Sequence, residues 1–517
     1  MKLKIIWTIV AVIFCLSGCY EDKGNYRYLE QNQVAISIPM EANAYVDELF
    51  TCVPEVTYAH PDRAPEVELW WEYTQGPEGL STKETIIQKG KDLNYTPTVI
   101  GDHNLRLYAK EVATGIMYSK EIKLKVGAPY SKGWAILSND GGKSVLSYIR
   151  PQWQNMDGVN ERVYTAFPNI FEMEYPGETL GNNPIQLRQL LSGDYDGGGL
   201  IYILQESGTL SLRGATYQKE RLLTAEFESV PAGFALRDFF TNSVWGHILV
   251  LSATGECYTK SYNSPMFSTL FPAAALSYQE VPINASAVVS LGDFYSAFYG
   301  IVEEVNKRII WYDGAFANAL IPCNYLNPPV EYFDVNNFGD ATLIYCSSNG
   351  SGDWNARGAT SMTILYSRNG TIYLQRCFFG QYSEYGRTII PISNVESKPF
   401  AGAAHITSST KFYHLAHRPY LFYATGNVLY WCDLSTGVCR QFHVFPDGET
   451  IVDMDSNPGN KELGVVLKSG TFVTFDITNE MLIKGRKIYE YNGIPGEIVD
   501  VEYKYPNNMD YLFQEVD

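Results

Sequence analysis

The stretch VLKSGTFVTF (residues 466–475) reads as two short strands joined by a tight turn. Apolar residues lead into a short polar spacer. A Ser–Gly pair follows, and the side chains then alternate in polarity. Glycine supplies the positive φ that such a turn requires, and the alternation sends one face of the ribbon inward. The pattern recurs as ILQESGTLSL (203–212), VLSATGECYT (250–259), LYSRNGTIYL (365–374) and FYATGNVLYW (422–431). AILSNDGGKSVLSY (135–148) and VEEVNKRIIWYD (302–313) are weaker copies. Successive turns lie roughly 45–65 residues apart, which suits propeller blades and is too long for leucine-rich or hexapeptide solenoids.

A second element precedes several of these hairpins: LRDF (236–239), YFDV (332–335), IVDM (451–454) and IVDV (498–501). The last copy has little chain after it. An incomplete final unit is what a closed ring needs, because C-terminal strand material then completes the sheet opened by the first hairpin at Trp134. Residues 129–517 are therefore expected to form a β-propeller of seven blades, with six and eight as the alternatives. A row of independent sandwiches would not share one hairpin signature.

Upstream, alternation appears at Val34-x-Ile36-x-Ile38, around Trp70 and Trp71, and at Ile122-x-Leu124-x-Val126. Short strands with a central tryptophan predict an Ig/PKD-like β-sandwich over 31–128, ending at Gly127-Ala128-Pro129. The whole chain reads as all-β. It holds 38 Tyr, 25 Phe, 9 Trp and 43 Gly, a composition that favours strands and turns.

Residues 1–18 read as a lipoprotein signal peptide: Lys2 and Lys4, an apolar run from Ile5 to Leu16, then Leu16-Ser17-Gly18-Cys19. The run is too short to span a bilayer. It ends in a bacterial lipobox, with Cys19 acylated as the first mature residue. Several acyl chains together hold a protein firmly on a membrane. Residues 19–30 form a polar tether. The formal charge of −18 falls to about −20 without Lys2 and Lys4, which argues against nucleic acid as a partner.

Seven cysteines remain after Cys15 and Cys19. Cys432 and Cys439 flank the hairpin loop DLSTG, which places them opposite each other on adjacent strands; a disulfide and a pair of buried thiols are the alternatives there. No second pair has zinc-ligand spacing, and no cofactor is implied.

The repeated Asp238, Asp334, Asp453 and Asp500 raise two readings. They line the channel as an acidic ring able to hold a cation, or each accepts hydrogen bonds within its own blade. The second has the greater weight, because a feature repeated once per blade is usually structural. His414-x-x-His417 resembles a metal pair, yet i and i+3 on a strand point to opposite faces. The acidic runs at Asp194–Asp196 and Asp453–Asp455 lack the Gly and Glu that complete a calcium loop and read as turns. No Gly-x-Ser-x-Gly and no Walker glycine loop is present. Trp70, Trp71, Trp153, Trp245, Trp311, Trp354 and Trp431 are candidates for exposed sugar or peptide platforms, with core packing the expected role for most of them.

The lead Cys19-Tyr20-Glu21-Asp22-Lys23-Gly24-Asn25-Tyr26, followed by an Ig-like module and a long β-rich region, resembles the PKD-like family of Bacteroidetes surface lipoproteins. Trp70-Trp71-Glu72-Tyr73-Thr74-Gln75-Gly76 stands where that module carries a W-x-F-G-D-G stretch. The resemblance implies an outer-leaflet location, a SusC/SusD-type transporter pair as partner, and a role in nutrient uptake through binding of a glycan or peptide. It carries no catalytic residues over. The rival expectation is a propeller hydrolase or lyase acting on an extracellular polymer. A purely structural importer subunit is a third.

Overall fold

The computed structural model describes residues 32–75, 84–156, 159–191, 198–242, 247–261, 270–290, 298–313, 319–349, 360–379, 382–384, 387–415, 418–457, 459, 461–478, 482 and 484–505. The chain divides into two compact units, Met1–Val126 and Gly127–Asp517.

The first unit is a β-sandwich. One layer is a five-stranded sheet in the order Glu41–Tyr45, Met117–Gly127, Gly101–Glu111, Val67–Gln75, Glu84–Lys89. The other consists of two strand pairs, Val34–Ser37 with Glu55–Tyr58 and Phe50–Cys52 with Leu93–Tyr95. The alternation read from the sequence sends Trp71, Leu105, Leu107, Ile122 and Leu124 into one core with Val34, Ile36 and Leu93. Trp71 is fully buried, and its indole N–H donates to the Lys91 carbonyl at 2.8 Å. Trp70, on the opposite face, is half-buried and stacks on its cross-strand partner Tyr108.

The described residues of the second unit form seven sheets of three or more strands and a small hairpin. The inner strands, from the first sheet to the seventh, are Glu497–Lys504, Pro184–Leu190, Leu236–Asn242, Ala287–Ser290, Thr342–Asn349, Lys411–His414 and Ile451–Ser456. Each inner strand is followed in its sheet by one of the seven hairpins read from the sequence. Gly208, Gly255, Gly370, Gly426 and Gly470 all take the positive φ expected of them. At Gly470 the turn is also tight: a Cβ would lie 2.5 Å from the Ile494 carbonyl oxygen.

Each sheet buries its face against the next. Leu137, Leu146 and Tyr148 of the first sheet pack on Leu187 and Ile203 of the second, and Trp311 of the fourth packs on Met362 and Ile364 of the fifth. The last contact closes the circle: Val466 and Phe472 of the seventh sheet pack on Trp134, Ile136 and Ile149 of the first. Closure is covalently out of order, as the sequence required. Strand Glu497–Lys504 pairs antiparallel with Gly133–Asp140, with Trp134 opposite Tyr503 and Ile136 opposite Val501. The result is a propeller-like ring whose first sheet is made from both ends of the unit. The segment YFDV (332–335) departs from expectation. It forms no strand, and the inner strand of the fifth sheet begins only at Thr342. Asp453–Asp455 also departs, since it lies on an inner strand and not in a turn.

Trp134 is the keystone of this closure. It is fully buried, lies edge-on to Tyr503 at 4.8 Å, and rests on Gly464 of the seventh sheet, where a Cβ would stand 2.5 Å from the indole. Trp134→Ala is expected to destabilise the protein by about 3–5 kcal/mol in urea unfolding. The control Ile185→Ala, at an exposed position, should stay within about 0.5 kcal/mol of wild type.

Candidate functional site

Inner strands of neighbouring sheets are not joined by a main-chain ladder. Every second N–H on their free edge therefore needs another acceptor, because a buried unpaired N–H is costly. Side chains on one face of a strand repeat every two residues, and so do the N–H groups on one edge. Acids at i and i+2 on one inner strand can thus serve N–H groups at i and i+2 on the next.

The ring uses this match twice in succession. On the seventh inner strand, Asp455 Oδ2 accepts from the Tyr503 N–H at 2.6 Å and Asp453 Oδ2 from the Val501 N–H at 3.4 Å. On the first, Asp500 Oδ2 accepts from the Leu187 N–H at 2.6 Å and Glu502 Oε1 from the Gln189 N–H at 2.9 Å. A hydroxyl does the same work one step earlier: the Tyr413 oxygen accepts from the Ser456 N–H at 3.0 Å. These acids thus reach the neighbouring sheet, which corrects the expectation that each aspartate serves its own blade.

Arg188, on the second inner strand, stands among the acids. Its Nη1 lies 3.5 Å from Asp500 Oδ2 and donates to the Leu187 carbonyl at 2.8 Å. Burial opposes its charge, but Asp500, Glu502, Asp238 and Asp453 more than offset this and raise its pKa. One guanidinium does not neutralise all these acids. Burial pushes Glu502 up to about 8 and Asp455 up to about 6, and it raises Asp238 as well. Asp500 is raised well above the usual carboxylate range by burial and then by the neighbouring Asp453.

Two further residues lock the junction. Lys504 is fully buried, which drives its pKa well below the ordinary lysine value, and its Nζ donates to the carbonyls of Tyr130 and Gly214 and lies over the Tyr217 ring at 4.4 Å. Gln189 donates to the Gly198 and Tyr505 carbonyls and accepts from the Tyr505 N–H at 2.9 Å.

The structure thus brings Asp238, Asp453 and Asp500 together around Arg188 and leaves Asp334 out. Asp334 lies in the segment before the fifth inner strand, where it accepts from the Asn336 N–H at 2.9 Å. A four-membered acidic ring is not formed. Among the described residues no group of three or more His, Cys, Asp or Glu is arranged to hold a metal ion. Sequence reasoning missed Arg188, Glu502 and Lys504 and took Asp455 for a turn residue. The signal for the acids was present, as acid-x-acid spacing at Asp453/Asp455 and Asp500/Glu502.

His414 sits on the sixth inner strand with Nδ1 2.9 Å from Ser347 Oγ. Cys432 and Cys439 are directly opposite across adjacent strands of the sixth sheet, as the loop length predicted. Both are free thiols, with sulfurs 2.6 Å apart. Hydrogen bonding from Cys432 lowers the Cys439 pKa, helped by the Gly402 N–H and by Lys398. Trp71, Trp311 and Trp431 are core residues. Cys19, Asp194, Asp196, His417, Trp245, Trp354 and the Trp153 side chain lie outside the described residues.

A PKD-like family model matches residues 19–184. No curated protein matches the chain. Among solved structures, a quinoprotein alcohol dehydrogenase-like protein from Bacteroides thetaiotaomicron VPI-5482 is similar at 10% identity, covering 90% of this chain and 96% of its own, with a TM-score of 0.41. Kluyveromyces lactis Hsv2 is similar at 12% identity over 59% of this chain and 77% of its own, with a TM-score of 0.33. The dihydro-heme d1 dehydrogenase NirN follows at 7% identity over 77% of this chain and 72% of its own, also with a TM-score of 0.33.

Two outcomes are expected. A carboxyl group whose pKa rises on folding favours the folded state while protonated. Its contribution is complete below the unfolded value near 4. It is lost as pH rises through about 6 for Asp455 and about 8 for Glu502. The melting temperature should therefore fall between pH 5 and 9. Glu502→Gln, which keeps the acceptor for the Gln189 N–H, should remove the upper limb and be more stable than wild type at pH 9; circular dichroism melts read both. Separately, peptide mapping after alkylation under oxidising conditions should recover Cys432 linked to Cys439. Reduction should then lower stability by about 2–3 kcal/mol.

Proposed function

We propose that this chain is a lipid-anchored protein of the outer-membrane surface, a non-catalytic partner of a SusC/SusD-type importer that binds an oligosaccharide or oligopeptide. Leu16-Ser17-Gly18-Cys19 supports the anchor, and the PKD-like match begins at residue 19. No helix among the described residues is long and apolar enough to cross a membrane. The ring is read as a seven-bladed propeller on the strength of its seven sheets.

The observation that carries the non-catalytic reading is the use made of the central acids. Asp453, Asp455, Asp500 and Glu502 each accept a main-chain N–H from the next inner strand. Acceptors committed to the scaffold brace a rigid ring and leave ligand contacts to its loops. One observation favours the rival hydrolase or lyase: Asp500, held well above the usual carboxylate range by burial and by Asp453 beside it, is one of two adjacent carboxyl groups, an arrangement found in acid–base pairs.

The wild-type chain should fractionate with membranes and co-purify with a SusC/SusD-type pair in mild detergent, whereas Cys19→Ala should move to the soluble fraction. A panel of glycans and peptides should show binding by calorimetry without turnover. Turnover abolished by Asp453→Asn or Asp500→Asn would overturn the reading in favour of the enzyme.

A further inference from the structure

The facing surfaces of the fifth and sixth sheets carry a polar row among their apolar residues. Ser347, Thr363 and Arg376 are directly opposite one another on three consecutive strands of the fifth sheet. They share the face on which Tyr345, Leu365 and Leu374 pack against Leu421 and Tyr423 of the sixth. From the sixth sheet His414 meets this row, its Nδ1 2.9 Å from Ser347 Oγ. Arg376 Nη1 reaches across to the Leu434 carbonyl at 2.9 Å.

Three polar atoms of this row are buried without a hydrogen-bond partner: Thr363 Oγ1, Arg376 Nε and His414 Nε2. Thr363 is fully buried and His414 is 8% exposed. Buried polar groups in proteins are nearly always paired, and orphans grouped in one place mark a missing partner. The chemistry of the group identifies that partner. Arg Nε–H only donates, and a threonine hydroxyl can donate. When Ser347 donates to His414 Nδ1, the neutral ring carries its proton on Nε2 and donates there as well. Burial, with Arg376 close by, holds the His414 pKa down to about 4, so the imidazole is neutral at pH 7. Among the described residues no carboxylate forms an ion pair with Arg376. Glu396 is directly opposite Arg376 on the outer neighbouring strand but makes no ion pair with it, so the buried guanidinium nitrogen and the two further donors are matched by an acceptor that carries negative charge.

We propose that Thr363, Arg376 and His414, with Ser347 orienting the imidazole, form a binding site between the fifth and sixth sheets for an oxyanion: a carboxylate, sulfate or phosphate group. Ser347 and His414 lie on innermost strands, so this end of the row is the one nearest the centre of the ring. It does not depend on the importer-linked function proposed above.

The test is thermal unfolding and calorimetry of the whole chain with acetate, sulfate or phosphate at low millimolar concentration, at constant ionic strength against chloride. Glucuronate against glucose is a further arm, distinguishing an acid carried on a sugar from a free ion. At least one oxyanion should raise the melting temperature saturably. Thr363→Val removes an orphaned hydroxyl without changing shape, so it should melt no lower than wild type in chloride. It should also weaken the anion at least about tenfold. Arg376→Met should abolish the response, and binding should raise the His414 pKa in long-range proton–nitrogen NMR spectra. The absence of any saturable anion effect in the folded wild type would overturn the proposal. So would a Thr363→Val chain that is destabilised yet binds the anion normally, which is the behaviour expected of a site filled by water.

Discussion

The ring depends on a hydrogen bond that no ladder supplies. Seven sheets meet at their inner edges, and each inner edge has N–H groups with no strand beside them. Where the ring closes, carboxylates from one inner strand take the N–H groups of the next, from Asp453 and Asp455 to Val501 and Tyr503, then from Asp500 and Glu502 to Leu187 and Gln189. An orphaned buried N–H costs about 1–3 kcal/mol, so four of them across two successive junctions are comparable with the stability of a typical domain. The period of two, common to side chains on a face and to N–H groups on an edge, lets one pair of acids serve two donors.

This solution has its own cost. Several acids crowd a buried space with Arg188 as the cation nearest to them, so the pKa values of Asp238, Asp455, Asp500 and Glu502 rise. The crowding falls where covalent continuity is absent. The first sheet joins strand Glu497–Lys504 to strand Gly133–Asp140 from the far end of the unit. Trp134, Lys504 and Gln189 lie at the same junction. At the junction of the fourth and fifth sheets, Trp311 fills the space between the layers and no comparable set of acids appears among the described residues. Charge-bearing clamps and dense apolar packing thus hold different parts of one circle.

Much of this was legible in the sequence because it is local. A Gly in a polar spacer between alternating strands fixes a hairpin wherever it occurs, and the seven copies fall on the seven central hairpins. The weak copy at 302–313 lacks the glycine, and there Lys307 takes the positive φ. Closure was legible too, since a lone terminal strand has nowhere else to pair. The acids were read in part. Asp238, Asp453 and Asp500 were found by repetition, but Asp334 shares their motif without sharing their strand. Its segment is held in a turn by its own side chain and by the Tyr325 hydroxyl, which accepts from the Val335 N–H. Arg188 and the row Ser347, Thr363, Arg376 and His414 carry no motif. They are assembled by register between strands and by contact between sheets, which a linear pattern does not record.

The claim that side-chain acceptors hold the inner strands is tested most directly by amide hydrogen exchange resolved to single residues, in wild type and in Asp455→Ala. The account predicts that the Tyr503 N–H is strongly protected in wild type and loses that protection selectively in the variant, while amides in the third sheet such as Leu249 exchange as before. An unchanged Tyr503 rate in a folded Asp455→Ala protein would contradict it, because the inner edge would then be held by something other than the carboxylate.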